Sequence, residues 1–213
     1  MKSGVVLISG RGSNMRSIVE ARAGLDIRAV ISNRPQAKGL EWARSQSLPT
    51  QVVDHKAFAT REAFDRALAQ AIEPLRPDVI LLAGFMRILT PEFIARFPRR
   101  ILNIHPSLLP SFPGLHTHRQ ALQAGVKLHG CTVHFVTPSL DSGPILIQAA
   151  VPVLAGDTEE TLAARVLEAE HRIYPQAVRW MIEDRIEFLP GEVVRVRGSG
   201  VGSDCVVSPR DPP

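Results

Sequence analysis

Asn103 and His105 stand two residues apart at the end of the run Ile101-Leu102-Asn103-Ile104-His105, directly before Pro106. On an extended strand that spacing turns an amide and an imidazole to one face. Pro106 cannot donate to a sheet ladder and biases His105 toward extended geometry, so the strand has to end here. Pro110 and Pro113 stiffen the segment that follows. Amides and protonated imidazoles can donate to a developing oxyanion, and an imidazole can also move a proton. In open α/β sheets, ligands bind at the carboxyl ends of the strands. The plainer alternative is a turn after a strand, with one satisfied histidine. Asp141 is the carboxylate that could complete such a set. It lies in the turn-rich stretch Pro138-Ser139-Leu140-Asp141-Ser142-Gly143-Pro144. If this loop adjoins His105, an acid beside the ring favours the charged imidazole and fixes its tautomer. Otherwise Asp141 is an Asx-turn residue ahead of Gly143.

A second constellation lies near the start of the chain. Ser9-Gly10-Arg11-Gly12-Ser13-Asn14 follows the apolar Val5-Val6-Leu7-Ile8 and precedes Met15, Ile18 and Val19 at helical spacing. Strand, glycine-rich turn and helix start make an anion site, because free N–H groups and the helix dipole point at the turn. The glycines let backbone approach a phosphate closely. The turn lacks the third glycine of the dinucleotide fingerprint and the Gly-Lys-Ser/Thr of a P-loop. A phosphate ligand and an ordinary tight turn both fit it.

The chain has seven histidines. His116 and His118 form His-x-His at a helix start, but no carboxylate or third His follows at ligand spacing, so no metal is expected. Whether these two touch a ligand stays open. His129 reads as structural, His55 as exposed, and His171 as surface or core filler in a long helix. His134 falls on a mixed strand face with Thr132 and Val136.

These groups need a frame. Apolar runs at 27–31, 50–53 and 78–84 predict further strands. Phe64, Leu68, Ala71 and Ile72 predict an amphipathic helix capped by Thr60 and closed by Pro74. Thr90-Pro91-Glu92 starts another. The alternation predicts an α/β fold with a doubly wound, mostly parallel sheet. Residues 116–124 predict a helix with Gly125 past its end. Strands at 129–137 and 145–153 are close enough to pair antiparallel, giving an antiparallel C-terminal part. Asp157 with Glu160 reads as a capping box. It precedes a helix with the inward stripe Leu162, Val166, Ala169 and Ile173, kinked at Pro175. An edge strand is expected at 186–189. From Pro190 on, Gly, Ser, Pro and charges dominate. The expected organisation is one domain over 1–189 and a loose C-terminal tail over 190–213.

Composition bounds the function. At 213 residues, 45% hydrophobic and 22% charged, the chain can bury one full core. A net charge of +4 without any Lys/Arg run suits small anionic ligands rather than nucleic acid. Cys131 and Cys205 have neither metal spacing nor a disulfide framework, which fits a reducing, cytoplasmic setting. No signal-peptide layout and no apolar run of about 18 residues are present, so no membrane contact is expected. A monomer and a homodimer both fit.

Several motifs together carry a resemblance. They are Val6-Leu7-Ile8-Ser9-Gly10-x-Gly12-Ser13-Asn14, the run from Leu82 to Leu89, Asn103-Ile104-His105-Pro106-Ser107-Leu108-Leu109-Pro110, Pro113-Gly114-Leu115-His116-Thr117-His118, and Asp141-Ser142-Gly143-Pro144. Over roughly Met1 to Leu189 the chain resembles the phosphoribosylglycinamide formyltransferases, folate-dependent enzymes of purine synthesis. Asn-x-His-Pro-Ser-Leu-Leu-Pro marks the wider group of 10-formyltetrahydrofolate enzymes, and Ser142 departs from a family Gly. The resemblance implies a Rossmann-like formyltransferase fold. Its catalytic set would be Asn103, His105 and Asp141. Gly12, Ser13 and Asn14 would hold the ribose 5-phosphate of glycinamide ribonucleotide, and Glu170 its ribose hydroxyls. Arg61, Met86, Arg87, Ile88 and Leu89, with Asn103, would bind 10-formyltetrahydrofolate, the formyl donor. Thr137, Pro138, Ser139, Leu140 and Asp141 would close the other side of that pocket, with no metal required.

Three alternatives are weighed. Methionyl-tRNA formyltransferase shares the Asn-x-His-Pro motif but needs an RNA-binding C-terminal domain, which the short tail does not supply. Formyltetrahydrofolate hydrolase typically carries an N-terminal regulatory domain, whereas Met1 starts at the first strand. A nucleotide-binding module without catalysis would not need Asn103, His105 and Asp141 together.

Overall fold

β1 (Ser3–Ile8) is buried at all six positions because it runs through the middle of the sheet, parallel to β2 (Asp26–Ser32) on one side and β4 (Val79–Leu82) on the other. The computed structural model describes residues 1–200 and Ser208. β3 (Thr50–Val52), β5 (Ile101–His105), β6 (Leu128–Phe135) and β7 (Ile145–Pro152) complete a seven-stranded sheet of order β3-β2-β1-β4-β5-β6-β7. The first five strands are parallel, and β6 and β7 add antiparallel. The predicted mostly parallel sheet with an antiparallel C-terminal part is therefore borne out.

Two cores flank the sheet. One gathers Val6, Ile8, Leu102, Ile104 and Val133 against α1 (Ser13–Glu20), α2 (Lys38–Ser45), α5 (Thr117–Ala124) and α6 (Glu159–Ile182). The other gathers Val5, Leu7, Ile80 and Ile101 against α3 (Arg61–Ile72) and α4 (Pro91–Arg96). Thr60 caps α3 and Thr90 caps α4 through their side chains, and Gly125 closes α5 at φ 66°. The stripe Leu162, Val166, Ala169 and Ile173 is buried, as its spacing requires. Tyr174, fully buried beside it, brings its hydroxyl 3.1 Å from the carbonyl oxygens of Leu82 and Leu102.

Some expectations need correction. The cap of α6 is Thr158, paired reciprocally with Thr161, and not Asp157 with Glu160. Asp157 instead makes a bidentate pair with Arg165, which holds its carboxyl well below the usual range. α6 contains Pro175 within its span Glu159–Ile182. His55 is half-buried, its Nδ1 2.7 Å from the Asn33 carbonyl. The segment from Pro190 is not loose throughout. β9 (Val193–Val196) pairs antiparallel with β8 (Ile186–Leu189) as a separate two-stranded sheet, and Val194 and Val196 pack on the first core. β9 is only four residues long, with Val193 and Arg195 exposed and the charged Glu192 and Arg197 flanking it, so its signal in the sequence is weak. Cys205 and the remainder of the expected tail, 201–207 and 209–213, lie outside the described residues. Among the described residues, no helix is long and apolar enough to cross a membrane.

Candidate active site

The strand order reverses between β1 and β4, the position at which doubly wound sheets open a crevice. Ser9, at the end of β1, ties the adjoining loops together. Its N–H donates to the Gly84 carbonyl at 3.1 Å, and its hydroxyl accepts from the Met86 N–H at 2.7 Å and donates to Asn33 Oδ1 at 2.6 Å.

Gly12 then turns the chain into α1 at φ 71°, where a side chain would meet the Cα of Gly39 at 3.1 Å. α1 starts without a side-chain cap, so the first-turn N–H groups remain for a ligand. Asn14 is buried and turned away from the turn, donating from Nδ2 to Glu170 Oε2 at 2.6 Å. Its contribution to an anion site is therefore its backbone. Burial pushes the Glu170 carboxyl up, and the Asn14 hydrogen bond opposes that shift. The four residues expected to hold a ribose phosphate, Gly12, Ser13, Asn14 and Glu170, are thus brought together.

Asn103 and His105 share a face of β5 with Ile101, which packs into the second core. The antiparallel register sets His134 of β6 opposite Asn103, and the β6–β7 pairing shifts between Val133 and His134. Such bulges re-aim side chains next to sites. Asp141 arrives from the loop joining β6 to β7, with φ 48°, and its Oδ2 accepts from the Gly114 N–H at 2.8 Å. Its carboxylate lies 3.6 Å from His105 Nδ1 and 3.9 Å from His134 Nε2. His105 Nε2 is 3.0 Å from the Phe112 carbonyl, so that nitrogen carries a hydrogen and Nδ1 is left facing the acid. Asn103 Nδ2 is 3.2 Å from His134 Nε2. Burial lowers the His134 pKa, while the Phe135 carbonyl and Asp141 oppose that shift.

Beside this cluster, Met86 and Ile88 expose 56% and 51% of their surface, large values for apolar side chains. Leu89 is buried in the second core, leaving only its backbone to a ligand. Arg87 lies 5.6 Å over the Phe64 ring, and its buried Nε has no partner. Arg61, exposed at the start of α3, flanks the buried Asp65 together with Arg87. Asp65 accepts from the Thr90 N–H at 2.6 Å and so ties α3 to the apolar loop. Thr137 is half-buried, Pro138 and Ser139 are exposed, and Leu140 is 53% exposed.

His116 occupies the cap position of α5 at φ 58°. His118 and His129 meet edge to face at 5.3 Å, and burial lowers both, His129 to about 4. No group of three metal-ligating side chains occurs among the described residues. Sequence reasoning placed His134 on a mixed face without including it in the set, because strand register is not visible in spacing. Asp65 and Ser9 carried no signal beyond a helix position and a strand end.

A reversal of strand order, an uncapped helix start and an amide–imidazole–carboxylate cluster together define the site. The chain belongs to the formyl transferase family, whose profile matches residues 2–178. It is 51% identical over 187 residues to the phosphoribosylglycinamide formyltransferase of Escherichia coli (strain K12), covering 86% of this chain and 88% of that one. It is 45% identical over 186 residues to the human trifunctional purine biosynthetic protein adenosine-3, covering 85% of this chain but only 18% of that one. Among solved structures it is similar to glycinamide ribonucleotide transformylase 1 from Symbiobacterium toebii, with TM-score 0.89 and 50% identity over 92% of this chain and 94% of that one.

Proposed function

We propose that this chain transfers the formyl group of 10-formyltetrahydrofolate to the amine of 5-phosphoribosylglycinamide. The products are N-formylglycinamide ribonucleotide and tetrahydrofolate, a step of de novo purine (IMP) synthesis. The observation that carries the reading is the cluster at β5 in which His105 lies beside Asp141 and Asn103 joins them through His134. The relatives named above support the reaction and its substrates.

The phosphate binds to the backbone N–H groups after Gly12, where the helix dipole adds attraction. Glu170 accepts from the ribose hydroxyls. Exposed apolar Met86, Ile88 and Leu140 suit a flat heterocycle on an otherwise polar rim. Arg61 and Arg87 are the cations available to the carboxylates of a folate.

The amine attacks the formyl carbon as a neutral nucleophile, and the C=O electron pair moves onto oxygen. The Asn103 N–H and the protonated His105 ring are the donors for that oxyanion. Collapse re-forms C=O and breaks the bond to the folate nitrogen. The proton lost by the amine is delivered to that nitrogen, with Asp141 and His105 as the adjacent relay groups. Phosphate and ribose contacts lie away from the reacting atoms, so their binding energy goes into positioning.

The test measures three activities of the purified protein: formyl transfer to glycinamide ribonucleotide, formate release, and transfer to methionyl-tRNA. Transfer to the ribonucleotide alone is expected. Formate release or tRNA formylation as the dominant activity overturns the reading.

A further inference from the structure

An amide can face a neighbour with either its oxygen or its nitrogen, and that choice fixes the direction in which Asn103 offers an N–H to the formyl oxygen. We infer that His134 sets that orientation and is a positioning residue acting through Asn103. The inference rests on the formyl-transfer reading above.

The tautomer of His134 follows from its partners. Nδ1 lies 3.1 Å from the Phe135 carbonyl, an acceptor only, so Nδ1 carries the ring hydrogen. The ring is 2% exposed, and that burial favours the neutral form. The groups facing it are Asp141, whose charge favours a cation, and His105, which opposes one. A neutral ring with its hydrogen on Nδ1 leaves Nε2 a bare acceptor. Nε2 is 3.2 Å from the Asn103 amide. With the amide nitrogen toward the ring, an N–H···N hydrogen bond forms and the second N–H stays free. With the amide reversed, the Oδ1 and Nε2 lone pairs oppose each other, so that orientation is disfavoured.

His134 reaches this position through two features of the backbone. The β5–β6 register puts it directly opposite Asn103, and on its other side the pairing shift leaves an extra residue, Leu146, on β7 between the partners of Val133 and His134. Gly130, earlier on β6, and Gly143 in the returning loop each have a backbone oxygen where a Cβ would sit, Ala149 O and Phe135 O, so β6 lies close against β7 and against the loop that returns past Phe135.

The experiment is a mutant cycle read as kcat and KM. His134→Leu removes the acceptor at similar volume, His134→Gln retains one, and each is also made with Asn103→Ala. His134→Leu is expected to lower kcat by about 10- to 100-fold, with both KM values within about threefold. His134→Gln should recover most of the loss. With Asn103→Ala, His134→Leu should change kcat by less than about threefold, because its route of action is gone. Multiplicative effects, or a Gln variant as impaired as Leu, overturn the inference. Should His134→Leu fail to fold, His134→Asn, which is shorter and falls short of the amide, takes its place in the cycle with the same expected outcome. Proton exchange of the Asn103 side-chain amide is read in the same proteins and needs no formyl transfer. One slow proton in wild type, fast in the Leu or Asn variant and slow again in Gln, supports the inference even if the activity proves different. Two fast protons in wild type overturn it.

Discussion

Replacing Asp141 by Asn changes one atom and one charge. The backbone there has φ 48°, a region that Asn occupies as readily as Asp. The amide oxygen can keep the 2.8 Å contact from the Gly114 N–H. The expected stability loss is therefore under about 1 kcal/mol, seen as a Tm change of a few degrees at most. What disappears is a negative charge 3.6 Å from His105 Nδ1. Against a ring that becomes positive during reaction, a unit charge at that range contributes about 4 kcal/mol at an effective dielectric of about 20. That is a factor of roughly 10³ in rate, within the 10² to 10⁴ spanned by typical proton-transfer and oxyanion groups. The assay is steady-state kcat for ribonucleotide formylation, with both substrate dissociation constants measured by calorimetry. A fall of two orders or more with unchanged binding is expected. Near-wild-type kcat across the pH range would show that Asp141 is only a turn residue. Asp141→Ala separates the two roles, because it also loses the Gly114 contact and meets about 1–2 kcal/mol of left-handed strain. Its Tm should fall where that of the Asn variant does not.

Gly12→Val places a branched side chain at φ 71°, against Gly39 and Met15. It should raise KM for the ribonucleotide far more than KM for the folate, and equal effects on both would remove the turn from the phosphate site. Glu170→Gln has a signed pH dependence. Burial raises the folded carboxyl above its ordinary value, so its contribution to stability is present below the unfolded pKa and lost as pH rises through the folded one. Calorimetry should show the Gln variant gaining Tm at pH 7 relative to pH 4, while its ribonucleotide KM rises. Truncation before Gly191 removes β9 and uncovers Phe188, whose ring lies 4.8 Å from Phe135. Tm should fall by a few degrees with kcat nearly unchanged, and an unaltered Tm would mean that β9 adds nothing to the fold.

The frame of the site was legible where chemistry is local. Pro106 ends β5 because it cannot donate to a ladder, and Thr60 and Thr90 cap helices because their hydroxyls reach the third residue on. The same logic misassigned the start of α6. Asp157 and Thr158 are both good caps, and the choice was made by Arg165, two turns along the helix and on the same side. The pairing of Asn103 with His134 was invisible, because antiparallel register depends on a loop of unknown path between residues 105 and 128. The Asn14–Glu170 hydrogen bond spans 156 residues and has no local signature at either end. β9 has a weak signature because Arg195 and the flanking Glu192 and Arg197 imitate a solvated tail, although Val194 and Val196 alternate toward the core.

Glu170 and Tyr174 lie one helical turn apart on α6, and each holds a different end of the crevice. Glu170 is bonded to Asn14 in the turn proposed for the phosphate, and Tyr174 reaches the carbonyls of Leu82 and Leu102, the first register-paired with Asn103 and the second its neighbour in the chain. On the proposed function the helix is a ruler laid between the anchored end of the nucleotide and the reacting carbon. A ribonucleotide with one extra methylene between phosphate and amine would be gripped as firmly but measured wrongly, its nitrogen displaced by about 1 Å, an error that costs about 10² in rate. Selection of this kind rejects a substrate by its length after welcoming it by its charge.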